Sequence, residues 1–376
     1  MPDGTSPRIP LSVPDLRGRE ADYLAQCVTD NWVSSAGPFV TEMERRVAAL
    51  AGRKAGVACV NGSAALQVAL SAAGVGSGDY VIVPDWTFAA TVNAVVHAGG
   101  VPVFADIQAT DWTIDPASVD DAIAAHGSKV KAVVAVDVLG NLPDPGPLKD
   151  LADRHGLTLL EDAAGAIGAS RDGVPAGGIG DGAIFSFNGN KLVTAGGGGM
   201  FVTDDEALAS RFRHLTTQAR VGSDYRHDMA GFNYRMTNVN AAVGLAQMER
   251  LDEMLAAKAR IAHRYEQAVS GRNDITFMPV SRPSESSYWL SNIVVADEPS
   301  MRSLVAHLDA ARIDARPFWC SLSVQEPYKA YPAMPVPVST AMTDRVVTLP
   351  CSSHLTDQEQ DRVLEALVGW RGATLS

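Results

Sequence analysis

The sequence predicts an α/β protein with a mostly parallel central sheet, helices on both faces of that sheet, and a smaller α+β unit at the carboxyl end. Short apolar runs alternate with segments of helical periodicity from residue 56 to residue 203, which is the pattern of successive βα units. A compact α+β pattern follows from about residue 275. The 376 residues suffice for one large and one smaller domain. We predict an N-terminal arm over 1–40, a large domain over 41–250 and a small domain over 251–376.

Composition and charge narrow the class of protein. With 46% apolar and 20% charged residues the composition is ordinary for a globular protein, and the net charge of −12 argues against a nucleic-acid partner. The four cysteines show no CxxC spacing, so neither a disulfide framework nor a metal site is predicted. We expect a cytoplasmic protein without a membrane partner, because neither a signal peptide nor a membrane-spanning run is apparent.

Two helices are predicted before the first strand. The first spans residues 19–31 and the second spans residues 41–50. We expect Thr41 to cap the second helix with Glu44 as its partner, because a threonine followed three residues later by a glutamate is the usual capping box. The Ser/Gly/Pro-rich residues 32–40 indicate an extended loop between the two helices.

Alternating strands and helices then predict the parallel sheet. The helix after the first strand is expected to have Ser63 as its N-cap. In such sheets ligands gather at the carboxyl ends of the strands and at the helix N-termini that face them. The predicted strands are residues 56–60, 80–83, 101–104, 130–136, 158–160, 183–187 and 200–202, and the helices between them include 116–125 and 148–155.

The remaining elements form the end of the large domain and the α+β unit. Thr237 is expected to cap one long helix whose apolar stripe runs from Ala241 to Leu255. The other predicted elements are helices at 204–214, 299–311 and 356–370 and strands at 275–277 and 288–296.

A single lysine lies between two of the predicted strands, next to a run of glycines. Lys191 follows the strand at 183–187 and precedes the four glycines at 196–199, which leave space that no side chain fills. An amine beside such a space can form an imine with an aldehyde ligand if its surroundings keep it partly neutral. Pyridoxal phosphate requires such a lysine, together with an acid at its pyridine nitrogen and a cradle for its phosphate. A solvated loop lysine is the alternative, so the hypothesis depends on the neighbouring motifs.

Candidates for these other roles lie at the ends of neighbouring strands. Asp162 closes an apolar strand, where an ionised carboxylate would keep the pyridine nitrogen protonated. Ser63 and Ser186 are the hydroxyls that we assign to the phosphate, and Phe88 is placed to stack on an aromatic ring. Each of them also fits an ordinary role, as a cap or a core residue. The amides that would open a helix toward the phosphate belong to Gly62, Ser63 and Ala64.

Four long segments carry a family resemblance. They start at residues 60, 159, 180 and 231 and read VNGSAALQVALSAAGVGSGDYVIVPDWTFAATVNAVVHAGGVPVFADI, LLEDAAGAIGA, GDGAIFSFNGNKLVTAGGGGMFVTDDE and GFNYRMTNVNAAVGLAQMERLD. Together they resemble the successive sequence blocks of the DegT/StrS family of pyridoxal-phosphate sugar aminotransferases, in the same order and spacing. The likeness runs from about residue 32 to the C-terminal helix.

This resemblance implies a fold-type-I pyridoxal-phosphate aminotransferase whose cofactor lies in the large domain. It implies that Lys191 is the Schiff-base lysine and that Asp162 is the partner of the pyridine nitrogen. Ser63 and Ser186 would hold the phosphate, and Phe88 would stack on the ring. In relatives the GFNYRM block reaches across a dimer interface toward the partner's cofactor phosphate. The resemblance therefore implies a homodimer with composite active sites, in which either Asn233 or Arg235 makes that contact.

The resemblance also carries expectations about the substrate. The segments FNGNK and LTTQAR are most similar to the branch that aminates C4 of UDP-2-acetamido-2,6-dideoxy-4-keto-hexoses, with L-glutamate as the amino donor. Other 4-keto or 3-keto sugars linked to dTDP or GDP are the alternative. Candidates for binding the diphosphate of the nucleotide sugar are Arg220, Arg226 and Arg316.

Two positions depart from the family pattern. Gly165 stands where relatives often carry a His, Gln or Glu that reaches the cofactor or its surroundings. Ser323 stands where the block that begins RPFW usually continues to a histidine. The contact to the cofactor hydroxyl and the substrate contacts of the C-terminal part are therefore expected to differ from those of close relatives.

Three other functions fit parts of the sequence. A pyridoxamine-dependent dehydratase of similar fold would carry a histidine at the position of Lys191, and a non-catalytic regulator that binds the cofactor could lose this amine. A nicotinamide-dependent enzyme would share the βα alternation, but no GxGxxG follows the first strand. The lysine and the lack of this glycine motif favour the aminotransferase.

Overall fold

A seven-stranded sheet lies at the centre of the computed structural model, which describes residues 7–280 and 284–372. The strands of these residues are β1 (Ala55–Cys59), β2 (Tyr80–Pro84), β3 (Val101–Ala105), β4 (Val130–Val136), β5 (Thr158–Asp162), β6 (Ser170–Arg171), β7 (Val174–Pro175), β8 (Gly182–Ser186), β9 (Gly199–Thr203), β10 (Arg220–Val221), β11 (Arg226–His227), β12 (Ile275–Phe277), β13 (Ser284–Glu285), β14 (Ser291–Val295), β15 (Arg316–Pro317) and β16 (Val346–Leu349). The α-helices are α1 (Glu20–Thr29), α2 (Pro38–Leu50), α3 (Gly62–Ala72), α4 (Ala89–His97), α5 (Pro116–His126), α6 (Pro145–His155), α7 (Glu206–Thr216), α8 (Asn238–Met248), α9 (Leu251–Val269), α10 (Glu298–Ala310), α11 (Pro337–Met342) and α12 (Asp357–Gly369).

The central sheet has the strand order β1-β9-β8-β5-β4-β2-β3. The pairs β2·β3, β2·β4, β4·β5 and β5·β8 are parallel, whereas β9 is antiparallel to both of its neighbours. The predicted mostly parallel sheet is therefore confirmed. Parallel neighbours end at the same edge, so the residues that follow β2, β4, β5 and β8 lie close together.

Helices cover both faces of this sheet, as predicted. Successive side chains of a strand point to opposite faces. Val81 and Val83 of β2 join an apolar cluster that contains Leu66 of α3, whereas Ile82 between them joins a second cluster that contains Met43 of α2. Burial of apolar side chains on both sides explains why the strands of this sheet read as nearly continuous apolar runs.

The C-terminal part carries a second sheet, with the order β12-β14-β16-β15 and antiparallel pairing throughout. Strand β16 pairs with both β14 and β15 and is not among the strands predicted from the sequence. The predicted α+β character of this part is confirmed. The domain boundaries at residues 40 and 250 stay a prediction.

The described part of the N-terminal arm packs against distant segments. Ile9 pairs with Ile313, and its amide donates to the carbonyl of Arg312 over 3.0 Å. The amide of Val13 donates to Ser352 Oγ, also over 3.0 Å. Helix α1 packs on α8. The arm therefore contacts both the C-terminal part of the chain and helix α8. In the described residues, no helix combines the length and apolar character needed to span a membrane.

The predicted start of α2 is wrong. The helix begins at Pro38, with Gly37 at the N-cap in a left-handed conformation (φ 150°). Proline suits the first helical position because its missing N–H would have no partner there. Glu44 does not complete a capping box. Its carboxylate instead accepts a hydrogen bond from the amide of Ala58 over 2.8 Å.

The single long helix predicted after Thr237 is divided into α8 and α9. Thr237 caps α8 by accepting a hydrogen bond from the Asn240 amide, as predicted. The chain leaves helical geometry at Arg250, whose guanidinium binds Asp15 of the arm over 3.2 Å and Glu253 over 2.8 Å. The apolar stripe continues across this break, which is why periodicity alone did not show it.

Candidate active site

A cavity of about 570 Å³ lies at the carboxyl edge of the central sheet. It is lined by residues from β5, β8, the N-terminus of α3 and the segment before α4, and also by residues around 289 and 316–319 of the C-terminal part. A larger, more open cleft of about 940 Å³ is lined by none of the predicted site residues. The predicted residues that line the smaller cavity are Gly62, Ser63, Phe88, Asp162, Ser186, Lys191 and Arg316.

Lys191 follows β8 and directs its amine over the indole ring of Trp289. The distance from Nζ to the ring centroid is 3.4 Å. Removal of the amine from bulk water lowers the pKa of Lys191 to about 7, and the negative charge of Asp162 opposes this shift. A substantial fraction of the amine is therefore neutral near physiological pH. This is the property that a nucleophilic lysine requires.

Asp162 is the last residue of β5 and is buried. Thr91 Oγ1 donates a hydrogen bond to its Oδ2 over 2.8 Å, and the amide of Ala164 donates to its Oδ1 over 3.2 Å. Burial raises the pKa of Asp162, whereas Thr91, Lys191 and Ala164 act in the opposite direction. A cationic group placed beside this carboxylate would further favour its ionised form.

The N-terminus of α3 lies next to Ser186. A Cβ added to Gly62 would lie 2.7 Å from the Cβ of Ser186, so only glycine allows this approach. The predicted N-cap at Ser63 is wrong. Asn61 is the N-cap, and its side chain accepts the hydrogen bond of the Ala64 amide over 2.8 Å. The Ala64 amide is thus used within the helix, and the proposed anion cradle is reduced to Gly62, Ser63 and Ser186.

Phe88 lies at the N-cap position of α4 and keeps 58% of its surface exposed. Its ring centroid is 6.3 Å from that of Trp319, which also lines the cavity. A large aromatic side chain left this open beside a cavity is available for contact with a flat ligand. This placement fits the predicted stacking role better than a role in the core.

The three arginines predicted to bind the substrate are not brought together in one chain. Arg316 of β15 lines the cavity. Arg220 and Arg226 lie on the exposed β10–β11 hairpin, where Arg226 forms an ion pair with Asp224 over 3.1 Å. Neither residue of the hairpin lines the cavity.

Asn233 and Arg235 differ in their availability. Arg235 is largely buried, and its guanidinium binds Glu44 over 2.7 Å and the carbonyl of Ala58 over 2.7 Å within the same chain. Asn233 is exposed, and neither residue lines the cavity of its own chain. Of the two candidates, Asn233 is the one whose side chain is free of this internal ion pair.

The two departures from the family pattern have different structural settings. Gly165 lies against Trp289, and a Cβ at this position would be 2.7 Å from the ring atom Cε3. Ser323 does not line the cavity, and its amide donates to Asp85 Oδ1 over 2.7 Å. Asp85 also accepts a hydrogen bond from the hydroxyl of Ser321. Asp85 thereby anchors the segment that directly follows the cavity wall at 317–319.

Several residues of the site were not predicted from the sequence. Thr91 lies three residues after Phe88, so its position one helical turn further into α4 could have identified it. Trp289 and Asp85 contribute through contacts between segments that are far apart in the chain, and no local pattern marks them. Trp319 belongs to the block that begins RPFW, but its place in the cavity was not predicted. For the residues described, no group of three or more metal-ligating side chains is found.

The lining of the cavity fits pyridoxal phosphate. The amine of Lys191 and the carboxylate of Asp162 line the same cavity, which matches an aldehyde and a ring nitrogen at separate positions of one molecule. The hydroxyls of Ser63 and Ser186 and the start of α3 form a small cradle in which Gly62 leaves room for an anion. The volume of about 570 Å³ also accommodates part of a second ligand.

Known proteins resemble the chain over almost its whole length. The sequence model of the DegT/DnrJ/EryC1/StrS aminotransferase family matches residues 14–368. The GDP-perosamine synthase of Caulobacter vibrioides is 38% identical, with 96% of this chain and 98% of that protein covered. The structure of DesI in the presence of its TDP-sugar product is 32% identical with a TM-score of 0.88, covering 98% of this chain and 94% of DesI. The PLP-form of the putative sugar aminotransferase Spr1654 from Streptococcus pneumoniae is 26% identical with a TM-score of 0.89. This match covers 95% of this chain and 97% of that chain.

Proposed function

The chain belongs to the DegT/DnrJ/EryC1/StrS aminotransferase family, and we propose that it transfers the amino group of L-glutamate to C4 of a nucleotide-linked 4-keto-6-deoxy sugar. Family membership makes it a pyridoxal-phosphate-dependent sugar aminotransferase, which sets aside the nicotinamide-dependent alternative. The observation that carries the proposal is that Lys191, with its pKa lowered to about 7, shares one cavity with Asp162.

The predicted site residues that line the cavity each have a role in this reaction. When bound, pyridoxal phosphate supplies a carbonyl group that takes up the amino group and a ring that withdraws electrons from the reacting carbon. Asp162 holds a proton on the ring nitrogen through its charge, and Thr91 fixes the orientation of that carboxylate. Lys191 Nζ binds the cofactor and moves a proton to and from the reacting carbon atoms. Ser63, Ser186 and the start of α3 bind the phosphate.

The nucleotide is the least constrained part of the substrate. The segments FNGNK and LTTQAR support a UDP-linked 2-acetamido sugar, whereas the 38% identity to a GDP-perosamine synthase supports a GDP-linked sugar. We give the GDP-linked sugar first place, because the second similarity extends over 368 residues and the first depends on short segments. Arg316 at the cavity is the candidate for the diphosphate in either case.

A substrate panel tests this choice. The purified protein, given L-glutamate, should form a 4-amino sugar and 2-oxoglutarate most efficiently from a GDP-linked 4-keto-6-deoxy sugar. Values of kcat/KM for the GDP-, dTDP- and UDP-2-acetamido-linked substrates are compared, with sugar products identified by mass spectrometry. A clear preference for the UDP-linked acetamido sugar would return the assignment to the branch indicated by the short segments. Lack of turnover with all three substrates would count against the proposed sugar class.

We further propose a homodimer in which Asn233 of each chain completes the phosphate site of the other. Asn233 is exposed and lies outside the cavity of its own chain, as a residue that serves a partner must. Arg235 is bound to Glu44 and Ala58 of its own chain, so it holds the GFNYRM segment in place against that chain. These observations support Asn233 over Arg235 as the residue that serves the partner.

Mixed dimers of two inactive variants test the composite site. A dimer of one Lys191→Ala chain and one Asn233→Ala chain should contain one intact site, because the second chain supplies the lysine and the first supplies the asparagine. Activity should therefore reappear when the two proteins are mixed under conditions of subunit exchange. If Asn233 served its own chain, the mixed dimer would have no intact site and would remain inactive.

The control for this experiment is Arg235→Ala. We expect this variant to lose stability, since Glu44 would lose its largely buried partner in the same chain and keep only the more exposed Arg213 and the Ala58 amide. Mixing it with Lys191→Ala should restore no more activity than the Arg235→Ala chain has alone. Sedimentation of labelled chains establishes that exchange has occurred.

A further inference from the structure

Trp289 is held at three points around Lys191. Its Nε1 donates a hydrogen bond over 2.8 Å to the carbonyl of Asn190, the residue directly before the lysine. The amide of Trp289 donates to the carbonyl of Leu139 over 3.2 Å. The edge of the ring rests on Gly165. Trp289 is therefore fixed in position by three other residues that line the cavity.

A buried lysine fixes the backbone of the same residue. Lys258 of α9 is only 3% exposed, and its ammonium donates hydrogen bonds to the carbonyls of Trp289 and Cys351, the former over 2.8 Å. Burying an ammonium is costly unless its donors are satisfied. Because a buried lysine side chain is used to hold the carbonyl of Trp289, the backbone position of this residue is strongly specified.

Gly165 and Trp289 act as a pair. Any side chain at position 165 would begin 2.7 Å from the Cε3 atom of the indole, so the ring occupies the volume in which such a side chain would lie. The absence of a side chain at Gly165 is therefore linked to the presence of Trp289. The ring takes that place in the wall of the cavity, next to the amine.

We propose that Trp289 is a positioning residue that receives the Lys191 amine on the face of its indole whenever this amine carries no bond to a ligand. The 3.4 Å between Nζ and the ring centroid is the contact that an ammonium makes with an aromatic face. This inference rests on the proposed function, in which the amine must stay within reach of the reacting carbon while it holds a proton.

The titratable groups that line the cavity define what the ring adds. Asp162 and Asp137 line the same cavity from the ends of β5 and β4, and Arg316 lines it from β15. Asp162 favours the protonated amine of Lys191, whereas burial disfavours it. The indole face also favours the protonated amine, because the negative face of the ring attracts a cation. Removal of the ring without admission of water should therefore make the amine lose its proton more easily.

The test measures the titration of Lys191 in the full chain freed of cofactor. Trace labelling with acetic anhydride at a series of pH values, followed by peptide mass spectrometry, gives the midpoint at which Lys191 becomes reactive. The midpoint of the wild-type protein should lie near 7. Trp289→Leu keeps the site apolar and should lower the midpoint by on the order of half to one pH unit. Trp289→Phe should give an intermediate value.

Two further variants separate this contact from a loss of packing. Gly165→Ala keeps the tryptophan but displaces its ring, and should lower the midpoint in the same direction as Trp289→Leu. Tyr80→Leu removes the ring that lies 5.3 Å from Lys129 Nζ, far from the cavity, and should leave the midpoint of Lys191 unchanged. Circular dichroism confirms that each variant is folded.

An unchanged or raised midpoint in folded Trp289→Leu would overturn the proposal, since the ring would then act at most by excluding water. The proposed function is judged separately, by the absorbance of bound cofactor and by amino transfer in the wild-type protein. If amino transfer fails but the midpoint is lowered in Trp289→Leu, the proposed function is contradicted and the role of Trp289 is supported. If amino transfer is normal but the midpoint is unchanged, only the role of Trp289 is contradicted.

Discussion

Replacement of Lys191 by alanine should abolish amino transfer while leaving the protein folded. The amine both binds the cofactor and moves the proton, and its surroundings in the cavity include no second lysine among the residues described. We expect kcat/KM to fall by roughly a thousandfold or more, in line with the loss of a nucleophile and a general acid–base group. Borohydride treatment of the wild-type protein with pyridoxal phosphate should attach the cofactor at Lys191, and the variant should show no such attachment.

The fold of this variant should be unaffected because the lysine does not stabilise the protein. Its pKa of about 7 in the folded state lies below the ordinary value of 10.5, so the unfolded chain binds the proton more tightly. Stability of the cofactor-free protein should therefore rise with pH between about 7 and 10.5, and Lys191→Ala should lose this dependence. Lys131→Ala, which removes an exposed lysine of β4, is the matched control and should keep full activity. Normal transfer by Lys191→Ala would refute the assignment of the catalytic lysine.

Replacement of Asp162 by asparagine should retain cofactor binding but remove most of the turnover. The amide has nearly the same shape as the carboxylate and can still accept the hydrogen bond that Thr91 donates over 2.8 Å. It carries no charge, so the ring nitrogen would no longer be held in its protonated form. We expect kcat to fall by roughly a hundredfold or more, as for the loss of one preorganised electrostatic contact in other active sites.

Thr91→Val provides a graded control for this experiment. It removes the hydroxyl that binds Asp162 but keeps the charge, and the loss in kcat should be about tenfold, the value of one hydrogen bond to a charged group. Single-turnover measurements of the glutamate half-reaction compare the two variants without interference from the sugar. An Asp162→Asn protein as fast as the wild type would show that another group controls the ring nitrogen.

The central sheet and the principal site residues were predictable because their signals are local. Continuous apolar strands and glycine runs depend on neighbours within a few residues. In a parallel sheet, strand ends meet at one edge whatever the details of packing. Lys191, Asp162, Ser186 and Phe88 each stand at such an end or at the helix that faces it, so the order of elements alone placed them in one cavity.

Local rules failed where a contact between distant segments decided the outcome. Glu44 has the spacing of a capping-box residue, but it binds Ala58, Arg213 and Arg235 instead. Ser63 is a good N-cap by composition, yet Asn61 lies two residues earlier and takes that place. For Glu44, the packing of α2 against β1 brings its distant partners within reach. For the cap of α3, two neighbouring residues were both acceptable, and the helix begins after the earlier one.

The sequence by itself determined the α/β class, the parallel sheet edge, and a lysine and an aspartate at that edge, because strand-end positions follow from chain order. The tertiary structure alone decided the environment of those groups. The lowered pKa of Lys191 comes from its burial, and its amine lies over the ring of Trp289, 98 residues further along the chain. The placement of Arg316 inside the cavity and of Arg220 and Arg226 outside it has the same origin. Desolvation and ring contacts depend on distances through space, and a linear pattern of residues does not contain those distances.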